Sequence, residues 1–375
     1  MTALFSAMVL VGLGAFLFQV SGQHPERAWQ AYLVNFILWS AVAQGGLLFS
    51  VVLHVTKARW GKPLQGLAES FAAFFPISFV LFLLLFTGKA FVFPWLGGDL
   101  HGKEGWLTIP FLFTRDAAGL LILYGLGFAY LRHGLMLKRS QGDDAERNRE
   151  ARQSRMTLIA VLYIMAYAAV LSLLAFDLVM SADPQWVSTL FAPYGFVKAF
   201  YMGLGALIIL AALVRIRHRE AALEASHFHD LGKLFFAFCL LWADFFYCQF
   251  LVIWYGNIPE ETSYIIQRTM ALPWSRLAWV VFILSFVIPF LVLLNKQVKT
   301  KPRFMIGLCS LVFVGIWLEH FLLLGPALSP GAESLPMGMM EVLITLGFLG
   351  LMAMAVRFAL GRFPELLPVQ KQEVK

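Results

Sequence analysis

The sequence predicts an all-α polytopic membrane protein of about ten transmembrane helices in a single domain covering residues 1–375. Hydrophobic residues make up 60% of the chain, charged residues make up 14%, and the mean hydropathy is +0.75. A soluble domain has roughly 25% charged residues. The 36 Phe and 11 Trp residues exceed what a soluble core of this length can hide from water, so lipid is the expected environment.

Ten mostly apolar runs are each long enough to cross hydrocarbon, which takes about 20 residues per helix. The predicted spans are residues 3–20, 31–54, 67–87, 112–131, 157–181, 193–214, 234–255, 277–295, 304–324 and 336–356. None shows the strict alternation of a membrane β-strand. The first run is interpreted as a helix and not as a signal peptide, because no basic residue precedes it and no clear small-residue cleavage site follows it.

Two spans contain a proline, and one connection is densely charged. Pro76 and Pro289 are expected to kink the third and eighth helices, which membrane proteins tolerate. The charged stretch at 132–156 is expected to form a solvated helical extension held by i,i+4 pairs. A docking surface for a soluble partner is the alternative for this stretch.

The basic residues indicate the orientation. With ten spans, 22 of the 29 Lys and Arg residues fall in the tail and loops on the side of the termini, and 5 fall on the other side. The positive-inside rule therefore places both termini in the cytoplasm, and the expected location is the bacterial cytoplasmic membrane. The excess of Lys and Arg on one side also accounts for the +7 net charge, so the charge does not call for a nucleic-acid partner.

No cofactor is predicted within this chain. The three cysteines, Cys239, Cys248 and Cys309, lie inside spans without a CxxC or CxxCH pattern. Only His54 and His320 lie within spans, whereas a core with two b-type haems needs four histidines. Haem, iron–sulfur clusters and metal ions are thus expected in partner subunits, if the protein transfers electrons.

Ionisable groups within spans are the candidate functional residues, because each is costly in hydrocarbon. Asp177 and Lys198 are predicted at similar depth on either side of a short connection, and an ion pair between them is plausible. The alternative to a functional role is a static pair that fixes the hairpin. Tyr163 and Tyr167 share a helix face with Asp177, either lining water or bonding to neighbouring helices.

Asp244 is the deepest acid, near the middle of the seventh span, and is predicted to be a proton relay or a protonated structural acid. Glu319 and His320 in the ninth span and Glu341 at the start of the tenth are expected to form an outer cluster. That cluster would serve as a proton exit or a quinol-headgroup site. The inner half of the membrane is poor in acids apart from Glu69, which favours a half-channel open to the outside.

Several long motifs carry a resemblance to a known family. They are RAWQAYLVNFILW at 27–39, ARWGKPLQGLAES at 58–70, KEGWLTIPFLFTRD at 103–116, DLVMSADPQWVSTLFAPYGFV at 177–197 and HDLGKLFFAFCLLWADFFYCQFLVIWYGNIPEET at 229–262. Over nearly the whole chain, the sequence resembles the ActF subunits of alternative complex III, a bacterial quinol:cytochrome c oxidoreductase. That family is itself similar to the NrfD/PsrC-type membrane subunits.

The resemblance implies two four-helix bundles with two flanking helices. It also implies an ActC-like membrane subunit, an iron–sulfur subunit and c-type cytochrome subunits as partners, with haem c and iron–sulfur clusters held by those partners. The expected role is scaffolding together with transmembrane proton conduction. The alternatives are a subunit with its own quinol-oxidising site and a secondary transporter. Transporters of that kind have paired, Gly/Pro-broken spans, and none are found in this sequence.

Overall fold

The fold is known from a computed structural model, which describes residues 2–100, 102–139, 143–217 and 222–368. Ten helices in these ranges are long and apolar enough to cross a membrane. They are α1 (Thr2–Val20), α2 (Pro25–Val55), α3 (Lys62–Val92), α4 (Ile109–Arg139), α5 (Asp143–Leu178), α6 (Phe191–Arg217), α7 (Ala225–Gly256), α8 (Trp274–Leu294), α9 (Pro302–Leu328) and α10 (Met339–Arg362). The predicted fold class is confirmed, and each predicted span falls on one of these ten helices.

The largest boundary difference occurs at the start of α5, within the charged connection. Helix α4 continues to Arg139 and α5 already begins at Asp143, so the stretch predicted as a helical extension is helical wherever its backbone is described. A chain outside hydrocarbon can continue a helix with charged residues, which hydropathy does not detect. The docking alternative for this stretch stays a prediction.

Helices α3 and α8 depart from α geometry just before their prolines. A 3₁₀ turn covers Ser70–Phe74 ahead of Pro76, and a π turn covers Ile283–Val287 ahead of Pro289. Proline has no N–H group and displaces the carbonyl four residues earlier, so the preceding turn must rearrange. The sequence predicted a kink at each proline, and the structure has a local change of helix geometry before each of them. These changes are single turns, unlike the unwound helices of many secondary transporters.

The helices form two bundles with a flanking pair. Helices α2 to α5 pack as the first bundle and α6 to α9 as the second, while α1 packs along α10 beside them. Helices α2 and α6 form the seam between the bundles and are buried nearly all around, whereas α1 and α7 expose most of their surface. We call the end that carries the loops after α2, α4, α6 and α8 the basic side, and the other end the opposite side.

Two glycines allow α2 and α6 to approach closely at the seam. A Cβ atom on Gly45 would lie 2.1 Å from the carbonyl O of Ala199, and one on Gly203 would lie 2.2 Å from the carbonyl C of Gly45. Small residues at helix crossings are a common means of association in membranes, where packing drives helix contact. The close approach holds side chains of α2 near those of α6, which positions the site described below.

Candidate functional site

A buried ion pair in the second bundle forms the centre of the site. The Nζ atom of Lys198 on α6 lies 2.9 Å from Oε1 of Glu319 on α9. The Tyr194 hydroxyl donates to the same Glu319 oxygen, and the Trp242 indole N–H donates to Oε2 over 3.2 Å. Lys198 is 7% exposed and Glu319 is 2% exposed, so the contacts among the four side chains replace water around the two charges.

Three helices provide these side chains. Tyr194 lies four residues before Lys198 and therefore on the same face of α6, while Trp242 comes from α7. The sequence analysis did not select Tyr194 or Trp242. For Tyr194, the i,i+4 spacing to Lys198 was a usable signal, whereas nothing local distinguishes Trp242 from a packing residue.

His320 follows Glu319 and points to a small cavity at the seam. Its Nδ1 donates to the Ile316 carbonyl over 2.7 Å, which leaves Nε2 of a neutral ring as an acceptor. The cavity is lined by Ser40, Lys198 and His320 among mostly apolar side chains, and its volume is about 50 Å³. A cavity that holds one water molecule has a volume of about 10–15 Å³, so this cavity has room for a few waters.

From the cavity, a chain of hydroxyl groups continues into the first bundle. Ser40 Oγ lies 2.5 Å from Ser78 Oγ, which in turn lies 2.8 Å from the Tyr124 hydroxyl. Gln44 on α2 donates to the same Tyr124 oxygen on α4 over 3.2 Å. All four groups are buried, so the chain is a polar route within an apolar bundle.

Tyr163 and Tyr167 bond to neighbouring helices, one of the two predicted possibilities. The Tyr163 hydroxyl donates to the Gln44 carbonyl over 3.3 Å, and the Tyr167 hydroxyl donates to the Phe196 carbonyl over 2.8 Å. Tyr163 thus lies beside the hydroxyl chain, and Tyr167 ties α5 to the second bundle near Lys198.

A second polar group lies toward the basic side. Glu69 accepts from Ser50 over 3.0 Å and pairs with Lys138 over 3.1 Å. The Tyr130 hydroxyl lies 3.0 Å from Ser50 Oγ. Ser50 is six residues from Gln44 on α2, a rise of about 9 Å. The half of the first bundle toward the basic side thus holds hydroxyl groups beside Glu69, but this group and the hydroxyl chain at Tyr124 are separated by one gap.

On the opposite side, Tyr264 is a buried residue close enough to both Glu319 and Asp183 for their charges to act on it. Burial raises the pKa of Tyr264 to about 12, the nearby Arg268 lowers it, and Asp183 and Glu319 both raise it. The Arg268 guanidinium lies over the Tyr264 ring at 3.4 Å and 3.9 Å from Asp183. Tyr264 lies outside the spanning helices, and its hydroxyl stays protonated at neutral pH. It can therefore relay a proton only by accepting one on its oxygen while donating its own.

The predicted ion pair between Asp177 and Lys198 is wrong. Asp177 makes a bidentate pair with Arg115, with both N–O distances at 2.7 Å, and accepts from the Trp106 indole over 3.0 Å. These three bonds satisfy the Asp177 carboxylate within the first bundle. The fold instead brings Arg115 to Asp177 and Glu319 to Lys198.

Asp116, next to Arg115 on α4, is a further buried acid near Asp177. It is 1% exposed, and neither of its carboxylate oxygens has a hydrogen-bond partner among the described residues. Asp177 is its close neighbour. A proton shared between the two carboxyls would supply the missing bond.

Glu341 does not join the outer cluster of Glu319 and His320, contrary to expectation. Its Oε1 pairs with Arg27 at 2.9 Å and accepts from Gln19 over 2.9 Å, and its Oε2 accepts from the Gly338 N–H. The carboxylate thus caps the first turn of α10 and ties it to α1 and α2. The reason is that α10 belongs to the flanking pair and not to the second bundle.

Asp244 is not buried, which contradicts its predicted role as an internal relay. It is exposed on the outward face of α7, and its one described polar contact is a long one, 3.8 Å from the Cys248 sulfur. Hydropathy indicates the position of Asp244 along α7 but not the direction in which its side chain points, because α7 has apolar residues on every face.

Within the described part of the chain, no group of three or more His, Cys, Asp or Glu residues is placed to hold a metal ion. Comparison with models of known protein families and with curated proteins gave no match for this chain.

Proposed function

We propose that this chain is a proton-conducting membrane subunit of a respiratory quinol:cytochrome c oxidoreductase complex similar to alternative complex III. In this proposal it resides in the bacterial cytoplasmic membrane with both termini in the cytoplasm, so that the basic side is the inner side. The redox centres, haem c and iron–sulfur clusters, belong to partner subunits. The resemblance of the long sequence motifs supports the assignment to such a complex.

The observation that carries the proton-conducting role is the Lys198–Glu319 pair beside the cavity. An ion pair with a purely structural role needs no contact with water or with other proton carriers. This pair adjoins a space for water and a chain of hydroxyl groups that reaches into the other bundle. Intramembrane ionisable residues that pair in this way mark proton relays in pumps and transporters.

A proton passing outward would move from Tyr124 through Ser78 and Ser40 to water in the cavity. That water can protonate Nε2 of His320 or the Glu319 carboxylate. Protonation of Glu319 would free Lys198 from its counter-ion, and release toward Tyr264 and Asp183 would restore the pair. The gap between Gln44 and Ser50 requires water or a side-chain movement, so conduction across the whole membrane is expected to be gated there.

A quinol site in this chain remains the alternative, and a different feature favours it. The cavity at Lys198 is much smaller than the roughly 300–1,000 Å³ of typical organic ligand pockets. A groove of about 560 Å³ between α2, α6, α9 and α10 is large enough. Its lining is apolar except for a few groups, among them the indole N–H groups of Trp39 and Trp317, which have no partner among the described residues.

Purification of the native complex tests the assignment. With an affinity tag on this chain and a mild detergent, we expect c-type haem absorbance and quinol-dependent reduction of cytochrome c to co-purify with it. An untagged membrane preparation carried through the same column is the control. A chain that purifies free of haem polypeptides, while remaining folded, would contradict the proposal and favour a transporter.

A further inference from the structure

The outward face of α7 is an unusual lipid-facing surface. Seven exposed residues follow one another at alternating steps of four and three along this face: Lys233, Ala237, Leu240, Asp244, Tyr247, Leu251 and Trp254. This 3.5-residue repeat is the spacing at which two α-helices pack as a left-handed pair. We call these seven residues the α7 seam.

Asp244 lies at the centre of the α7 seam and near the middle of the membrane. Lys233 and Trp254 are residues of the types that favour the two membrane interfaces. Asp244 is eleven residues from Lys233 and ten from Trp254, about 15 Å from each along the helix. Since the hydrocarbon core is about 30 Å thick, the carboxyl group faces its midplane.

No side chain in the described part of the chain neutralises the Asp244 carboxyl. Among the described residues Asp244 takes part in no ion pair, and its one described hydrogen bond is a long one from the Cys248 thiol over 3.8 Å. The Tyr247 side chain beside it is 59% exposed. An acidic group facing hydrocarbon is unfavourable, and such residues almost always face protein or water instead.

We propose that the α7 seam binds a transmembrane helix of another membrane subunit, which places a Lys, Arg or His side chain opposite Asp244. Charge complementarity selects this partner, because a cation at the same depth satisfies the carboxylate where lipid cannot. A single polar residue within an apolar seam also fixes the register of the two helices.

A second copy of this chain fits the seam less well. Two copies with the same membrane topology are related by an axis along the membrane normal, so residues at equal depth meet each other. Asp244 would then face the Asp244 of its neighbour, and the like charges would repel. The proposal does not depend on quinol oxidation or proton conduction, and its test measures association only.

Site-specific photocrosslinking in native membranes tests the partner. With a photoreactive amino acid in place of Tyr247, we expect an adduct with a different membrane subunit, within one helical turn of a Lys, Arg or His residue. The same probe in place of Leu162, exposed on α5, is the control for adducts with lipid. Adducts with lipid alone, with a second copy, or with a helix that has no basic residue there would overturn the proposal.

Removing the charge tests the pairing itself. Asp244→Leu suits lipid better than the native residue, but it leaves the partner's cation unpaired, so recovery of the crosslinked subunit should fall about tenfold. Asp244→Asn keeps the side-chain shape and should lower recovery in the same direction. Glu260→Leu, at an exposed acid just beyond α7, should leave recovery unchanged. Unchanged recovery with both Asp244 variants would overturn the proposal.

Discussion

Lys198 and Glu319 show how a charged pair is accommodated at depth. Each charge loses its hydration, and the pair recovers stability only because Tyr194 and Trp242 donate to the remaining carboxylate lone pairs. Removing one partner leaves the other ionised and buried, which is worse than losing both. The site therefore has a thermodynamic signature that separates true partners from neighbours in depth.

A double-mutant cycle should detect this signature. We expect Lys198→Met to destabilise the protein by about 3 kcal/mol, because Glu319 is left unpaired. Adding Glu319→Gln should recover about 1–2 kcal/mol of that loss. Thermal unfolding of the purified complex in detergent measures both.

The matched control combines Lys198→Met with Asp177→Asn. These two residues share no partner, so their effects should add within about 0.5 kcal/mol. Strong coupling between Lys198 and Asp177, or none between Lys198 and Glu319, would contradict the assignment of partners.

At the residue scale, the sequence predicted which groups need partners but not which partners they take. Asp177 and Lys198 were both predicted to need a partner, yet rotation about each helix axis decides which group each of them meets. The side chain of Asp177 points to Arg115, and the side chain of Lys198 points to Glu319. Asp244 failed for the same reason, because hydropathy reports position along a uniformly apolar helix and not the direction a side chain faces.

At the scale of elements, the seam between α2 and α6 depends on Gly45 and Gly203. The backbones are so close that a methyl group on either residue would overlap the other helix. The apolar runs predicted both helices well, but only the three-dimensional packing reveals that these two glycines lie at a close helix contact. The prolines likewise predicted a kink in α3 and in α8, but not the 3₁₀ or π geometry of the turn before each proline.

Substitution of Gly203 by Ala should force the bundles apart. We expect a loss of about 1–3 kcal/mol, the usual cost of overpacking, with displacement of Ser40 from Lys198. Gly307→Ala on α9 is the control, because a Cβ there meets nothing within 4 Å and alanine favours a helix. Thermal unfolding compares the two variants, and equal stability would show that the seam tolerates a methyl group.

At the scale of the whole molecule, the ten spans and the basic asymmetry were predictable because both depend on long stretches of sequence. The arrangement of the bundles was implied only by resemblance to a family, since hydropathy does not indicate which helices pack together. The exposed faces of α1 and α7 then became visible as surfaces for lipid or for partners.

Reporter fusions test the orientation. Fusions after Arg155 and Lys299 should report the cytoplasm, and fusions near Asp183, Glu260 and Glu333 should report the external side, as the distribution of Lys and Arg predicts. A fusion after Arg219 should also report the cytoplasm, although that residue lies outside the described ranges. One reproducible inversion among these positions would contradict the ten-span orientation.

The central claim is that protons pass through the Lys198–Glu319 site while quinol is oxidised elsewhere in the complex. The most direct measurement is proton movement per electron in vesicles containing the reconstituted complex, with Glu319→Gln compared with native protein and with Glu260→Gln as an exposed control. We predict that Glu319→Gln continues to oxidise quinol while proton movement falls, because the variant lacks an ionisable group between the cavity and Tyr264. Full proton movement in Glu319→Gln would contradict the claim, and loss of quinol oxidation in an intact complex would instead favour a quinol site in this chain.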